Sequence, residues 1–206
     1  MIVPDTIGVS EDMHVYFCLP PSGPLQSFRV AALHGELIRV AYNHEIHSSR
    51  KALPMNVEAK LLALGISLPA APLGVGAYVP WVRTGNLIFI SGQLPWHEGK
   101  LTHTGKLGGE LTIEQGALAA RACIINALAQ LKTAVGDLDN VKQIVRLEGF
   151  VHSAPGFHEH PKVLNGASEL LNEVFGPRGR HARIALGINE MPLNAAVQIA
   201  LIAEVL

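Results

Sequence analysis

Apolar residues fall into a regular pattern only beyond residue 55, whereas residues 1–54 show no sustained period of two or of 3.6. The pattern predicts a short helix from Asn56 to Leu64, with Asn56 as its cap, Leu61, Leu62 and Leu64 as its apolar stripe, and Gly65 ending it. Tyr78–Val82 and Leu87–Ser91 are β-type runs joined by Thr84, Gly85 and Asn86, which suit a tight hairpin turn. Residues 95–109 are rich in Gly, His and Lys and predict a surface loop with one brief strand at 100–102. Thr112 followed three residues later by Gln115 is a capping box, and Ile113, Ala117, Ala120, Ile124, Ala127 and Leu131 recur at helical spacing up to Gly136. Val141–Val151 reads as a strand with Val145, Leu147 and Val151 on one side. Pro161 sits where a proline opens a helix, ahead of Val163, Ala167, Leu170, Leu171 and Val174, and Gly176 closes it. Strands at Ala182–Asn189 and Ala195–Val205 flank Met191–Asn194. The order β-β-(β)-α-β-α-β-β predicts an α+β sandwich, a sheet packed on two helices. Its other face, carrying Val197, Ile199 and Leu201 or their neighbours, is apolar and calls for a symmetric partner copy.

The chain therefore divides into residues 1–54 and a domain at 55–206, the latter long enough to bury about 70% of the surface its unfolded chain exposes. The first stretch holds Pro20, Pro21 and Pro24 and one apolar run, Val30–Val40, compatible with a strand or a helix. Asp5, Glu11, Asp12, Glu36 and Glu45 argue against a secretory signal or a transit peptide. Two readings stand: a loosely ordered extension, or a stretch upstream of a true start at Met55, and the second is favoured.

Composition narrows the partners. Sixteen basic and seventeen acidic residues among 206 give a net charge of −1, which leaves no electrostatic footprint for nucleic acid or an anionic membrane surface. The most apolar segment, Ala195–Leu206, is cut by Gln198 and Glu204, so no membrane span is expected. Cys18 and Cys123 are the only cysteines, too few for a disulfide framework or a thiolate cluster, and a cytoplasmic setting fits.

Arg183 is the sharpest chemical candidate. In a strand whose Ile184, Leu186 and Ile188 point one way, it shares the other side with Ala185, Gly187 and Asn189, and a planar guanidinium among small residues has room to hold a carboxylate with two parallel hydrogen bonds. Ser91-Gly92-Gln93 ends a strand at a glycine, where backbone N–H groups can approach a small anion, and Tyr78 could donate its hydroxyl into a pocket. His152, His158 and His160 with Glu148 or Glu159 are zinc-type ligands at poor spacing, and a solvated helix start explains the latter histidines better, so no metal is expected. His97, His103 and His181 are scattered and suit acid-base work at most, while Cys123 lies on an apolar stripe as a core residue. Nucleotide-binding and Gly-x-Ser-x-Gly fingerprints are missing.

Gly76-Ala77-Tyr78, Ser91-Gly92-Gln93-Leu94-Pro95, Phe175-Gly176, His181-Ala182-Arg183 and Met191-Pro192-Leu193 occur in an order that resembles the Rid family, also called YjgF or endoribonuclease L-PSP. The resemblance covers about residues 55–206 and is greatest to the subgroup with a short extra N-terminal helix. It implies a chorismate-mutase-like fold, a homotrimer with ligand clefts between subunits, and hydrolysis of reactive enamines and imines such as 2-aminoacrylate or 2-iminopropanoate to 2-oxoacids and ammonia, with no cofactor. Carried onto this sequence, the resemblance makes Arg183 the carboxylate anchor, Gly92 the assisting backbone amide beside Ser91, Tyr78 the pocket tyrosine, and the Ala185 carbonyl a holder of the attacking water. Where the family has a water-orienting acid, this chain has Gln198, which can bond a water but cannot take its proton. Ser168 roughly replaces a family asparagine. These departures keep a second function open, a non-catalytic trimer that binds small carboxylates. A ribonuclease, as the older name suggests, would need a basic groove that the balanced charge does not supply.

Overall fold

The structure is a computed structural model that describes residues 56–72 and 76–206, and within residues 1–54 three strands, β1 (Val15–Phe17), β2 (Arg29–Leu33) and β3 (Glu36–Val40). The chain forms two compact units, Met1–Pro54 and Met55–Leu206. In the first, β1, β2 and β3 pair antiparallel in that order, so the apolar run at 30–40 is two strands of a hairpin and neither a single strand nor a helix. Whether the stretch is an extension or lies upstream of a start is a question outside the described residues, as is Cys18.

The second unit opens with α1 (Val57–Ala63), where the Asn56 side chain accepts a hydrogen bond from the Ala59 N–H at 2.7 Å. Val57 and Leu61, four apart, are its buried residues; of the expected stripe Leu61 is buried while Leu62 and Leu64 turn outward, because a helix this short buries only one line. β4 (Trp81–Thr84) begins three residues later than expected, because Pro80 has no N–H to give a ladder, and Tyr78 lies in the bend before it. The turn to β5 (Leu87–Gln93) uses Gly85 at φ 57°. The next segment forms two strands where one was expected, β6 (Trp96–His97) and β7 (Lys100–Leu101), in a small ribbon.

Then follow α2 (Ile113–Val135), β8 (Val141–His152), α3 (His160–Phe175), β9 (Ala182–Ile188) and β10 (Val197–Val205). The capping box forms: Gln115 N–H donates to Thr112 Oγ1 at 3.3 Å and the Gln115 side chain accepts from the Thr112 N–H at 2.9 Å. Gly136 and Gly176, at φ 78° and 61°, end the long helices. The sheet runs β4-β5-β10-β8-β9, antiparallel except for β8 and β9, which are parallel because α3 crosses between them. This is the α+β sandwich with two helices on one face.

The core lies between that face and the helices, around Ile124, Leu128, Leu131, Leu147, Leu164, Leu171 and Leu201. α2 is the one described helix long and apolar enough to cross a membrane by length and composition, yet 56% of its apolar window is buried inside the fold, as a core helix is. β10 alternates strictly, with Val197, Ile199, Leu201, Ala203 and Val205 turned to the helices. The uncovered face therefore carries their neighbours, Gln198, Ala200, Ile202 and Glu204. Val145 is also on the uncovered side, apart from Leu147 and Val151, because two residues of β8 oppose one step of β10 between Arg146 and Ile144, and this bulge reverses the alternation. Across the open face run Val82, Phe89 and Ile202, and farther along Phe150 and Leu186.

Candidate functional site

Four of the expected site residues meet at one cleft. Tyr78, Ser91, Gly92 and Gln198 line a cavity of about 660 Å³ whose remaining walls include Pro80, Trp96, Pro192 and Leu193. Its floor is irregular for a physical reason. Between Ile90 and Gln93, β5 carries one residue more than β10 does between Leu201 and Ile199, so Ser91-Gly92 is a bulge that interrupts the ladder. The Ser91 hydroxyl is tied to the Val79 carbonyl at 2.8 Å, and the Ser91 carbonyl accepts from the Gln93 side chain at 2.9 Å. A Cβ at Gly92 would overlap the Gln198 amide, so the glycine lets that side chain lie directly against the bulge.

The walls are held from behind. Asn126, buried on α2, donates to the carbonyls of Leu94 and Trp96 at 3.0 and 2.9 Å. On the opposite lip, His152 bonds the Asn189 carbonyl at 3.1 Å and Lys106 pairs with Glu190 at 3.2 Å, ahead of the turn that presents Leu193. Leu193 is 62% exposed and sits at φ 57°, a left-handed conformation rare for a bulky residue.

Arg183 and Ala185 are elsewhere. They lie on β9, an edge strand separated from β5 by β10 and β8, which at strand spacing puts them about 14 Å across the sheet from the Gly92 bulge. Arg183, Ala185 and Gly187 do share one side of β9, and that side turns toward α3. Arg183 Nη1 donates to Asn165 Oδ1 at 3.0 Å and to Ser168 Oγ at 3.1 Å, both on α3. Both of its described hydrogen bonds leave from Nη1, so the edge formed by Nε and Nη2 is left for a planar anion. Asn165 was not singled out in the sequence. Its spacing of three from Ser168 puts the two on one helix face, but nothing local says that this face meets Arg183. Ser168 in turn contacts His181 Nε2 at 3.0 Å, and His181 Nδ1 lies 2.6 Å from the Gly179 carbonyl. Burial first, and then the charge of Arg183, hold the His181 pKa below the ordinary histidine range, against the Gly179 bond, which raises it.

The other histidines do not converge. His152 is buried on the Asn189 carbonyl, His160 contacts Ser153 Oγ at 3.2 Å, and among the described residues no three His, Cys, Asp or Glu side chains are grouped to hold a metal ion. Cys123 is buried in the core with its thiol 3.3 Å from the Val197 carbonyl, and burial pushes its pKa well up, away from a thiolate.

Residues 58–205 match the family described as "YjgF/chorismate_mutase-like, putative endoribonuclease". The chain belongs to this family. Protein TCP17 of Trypanosoma cruzi is 46% identical over 149 residues, 72% of this chain and 93% of that protein. Among solved structures, the Agrobacterium tumefaciens protein Atu1372, of unknown function, is 43% identical, with a TM-score of 0.69 over 72% of this chain and 92% of its own. A Shewanella oneidensis protein crystallised under the same endoribonuclease designation is 42% identical, with a TM-score of 0.72 over 73% of this chain and 100% of its own. YjgF/Rid membership and the chorismate-mutase-like fold thus agree with the element order. Membership also connects the domain with a small-molecule function.

Proposed function

We propose that the protein is an imine and enamine deaminase that works as a homotrimer, its site completed between subunits. The observation that carries this reading is the division of the site: an arginine with an unused fork on one sheet edge, and a glycine bulge with Tyr78 and Gln198 near the other. Two halves about 14 Å apart in one protomer cannot grip one three-carbon substrate, and a second copy laid on the uncovered face can bring its Arg183 to the first copy's cleft. In such a cleft Arg183 binds the substrate carboxylate through two N–H groups, the Gly92 amide assists, Tyr78 closes the wall, and a water is held by Gln198 and the Ala185 carbonyl. The imine carbon beside a carboxylate is already electrophilic, so positioning the water and the anion supplies most of what hydrolysis needs. Water adds to the C=N carbon, the nitrogen takes up the protons, and the resulting carbinolamine expels ammonia to leave the 2-oxoacid. Gln198 orients the water and does not act as base, so the imine nitrogen is the proton acceptor. No metal or organic cofactor takes part, and a cytoplasmic setting suits substrates that arise in amino-acid metabolism.

The test generates 2-iminopropanoate with an amino-acid oxidase in the presence of semicarbazide and follows semicarbazone formation. Wild type is expected to slow it by competing hydrolysis, and Arg183→Ala to lose this effect by about 100-fold or more in kcat/KM. Full activity in Arg183→Ala would overturn the mechanism. One observation favours a second reading: Gln198 stands where proton transfer would call for an acid. A trimer that only binds small carboxylates predicts Arg183-dependent thermal stabilisation by pyruvate with no slowing of semicarbazone formation.

A further inference from the structure

Behind the anchoring arginine lies a chain of contacts that the proposed hydrolysis does not use. Arg183 Nη1 donates to Ser168 Oγ at 3.1 Å, Ser168 Oγ lies 3.0 Å from His181 Nε2, and His181 Nδ1 lies 2.6 Å from the Gly179 carbonyl oxygen. Chemistry orders the protons along it. A carbonyl oxygen only accepts, so His181 Nδ1 carries the hydrogen. In the neutral imidazole Nε2 is then a lone pair, so the Ser168 hydroxyl donates to it and turns its own lone pairs toward Arg183. Asn165 Oδ1 accepts the other hydrogen of Nη1 at 3.0 Å, so both hydrogens of that nitrogen are committed. Its burial and the nearby guanidinium favour the neutral form of His181 near neutral pH.

We propose that His181 is a positioning residue: acting through Ser168, it locks Nη1 of Arg183 against α3 and so keeps the Nε and Nη2 edge turned toward the substrate carboxylate. The inference rests on Arg183 being the carboxylate anchor. It assigns a role to His181 that scattered placement in the sequence concealed. The opposite tautomer would reverse the chain. With a hydrogen on Nε2, the Ser168 hydroxyl would accept from the imidazole as well as from Arg183, and Nδ1 would be left with a lone pair facing the Gly179 carbonyl oxygen at 2.6 Å. The Gly179 carbonyl, which can only accept, selects the Nδ1–H tautomer, and in it the Ser168 hydrogen is held by the imidazole.

The test uses the full chain with His181→Ala, His181→Gln, His181→Leu and Ser168→Ala, assayed for hydrolysis of 2-iminopropanoate. His181→Ala and Ser168→Ala are expected to raise KM about tenfold with kcat within about twofold, because the lost contact orients a binding group and not the attacking water. His181→Gln, whose side-chain oxygen can accept from Ser168, is expected to recover most of the KM, and His181→Leu, which restores bulk without an acceptor, is not; equal recovery in both overturns the proposal. An unchanged KM in His181→Ala overturns the proposal. A second measurement does not depend on turnover: nitrogen NMR of His181 in the ligand-free protein is expected to show the Nδ1–H tautomer, and the Arg183 guanidinium to rotate faster in His181→Ala than in wild type. The Nε2–H tautomer, or unchanged rotation, overturns the proposal whatever the cleft does. If wild type hydrolyses no imine while both NMR results are as expected, the deaminase reading falls and the positioning role stands.

Discussion

Leu193 is the residue on which local backbone and site are most at odds. It and Asn194 both sit at φ 57°, a conformation Asn tolerates and a branched apolar side chain does not. At 62% exposure its side chain recovers little by burial, so the conformation is maintained by the anchors on either side, Lys106 and His152 before it and the sheet after it. Strain of this sort is retained where a structure needs a group in a given place, and here the group is the lip of the cleft. Leu193→Asn is expected to raise unfolding stability by about 1 kcal/mol, read from urea denaturation, while altering KM in the imine assay. Unchanged or lower stability would show that Leu193 is not strained. At this scale much of the candidate site was legible: Arg183, Gly92, Ser91 and Tyr78 stand out by residue type and neighbours, Gln198 only through the family resemblance, and all but Arg183 line one cleft. Asn165 and the use of His181 do not stand out, because an asparagine on a helix face and a histidine before a strand acquire roles only when α3 is laid along β9.

Elements were read best where one periodicity ruled a whole segment. α2 has its capping box and its Gly136 terminus as the spacing predicts, and of the predicted line Ala120, Ile124, Ala127 and Leu131 are buried while Ile113 and Ala117 are partly so, since hydrogen bonds three and four residues apart are set by the chain itself. Strands fared less well because a bulge changes which face a residue meets without any sign in the alternation: Val145 was grouped with Leu147 and faces away from it. Packing between helices is another property that spacing does not reveal. A Cβ at Gly166 would overlap the backbone carbonyl of Ala117, so α2 and α3 touch there at backbone distance, whereas at Gly116 the obstacle is the flexible end of Leu107. Gly166→Ala is therefore expected to destabilise by about 1–3 kcal/mol despite alanine's better helix propensity, and Gly116→Ala by clearly less, in thermal or urea unfolding. Equal effects at both positions would mean that the helices do not cross at Gly166.

At the scale of the whole molecule, among the described residues of the second unit the sheet has one face packed on helices and another that carries exposed Val82, Phe89 and Leu186. Such a face is the surface that a second copy would cover. Light scattering after gel filtration is expected to give a mass near three times the 22.0 kDa protomer, and Leu186→Asp to shift it toward one protomer with its circular dichroism unchanged. A wild-type monomer would remove the basis for a shared cleft. By itself, the sequence determined the class of fold, the boundaries of its long helices and the family, and it named the candidate site residues, because helix periodicity, capping and short motifs depend on residues near one another in the chain. Only the tertiary structure decided that Arg183 lies about 14 Å from the Gly92 bulge, that Asn165, Ser168 and His181 stand behind it, and that Gln198 rests on Gly92. Those relations are set by strand order, by two bulges and by where α3 crosses the sheet, and each brings together residues whose separation in the chain carries no local signal.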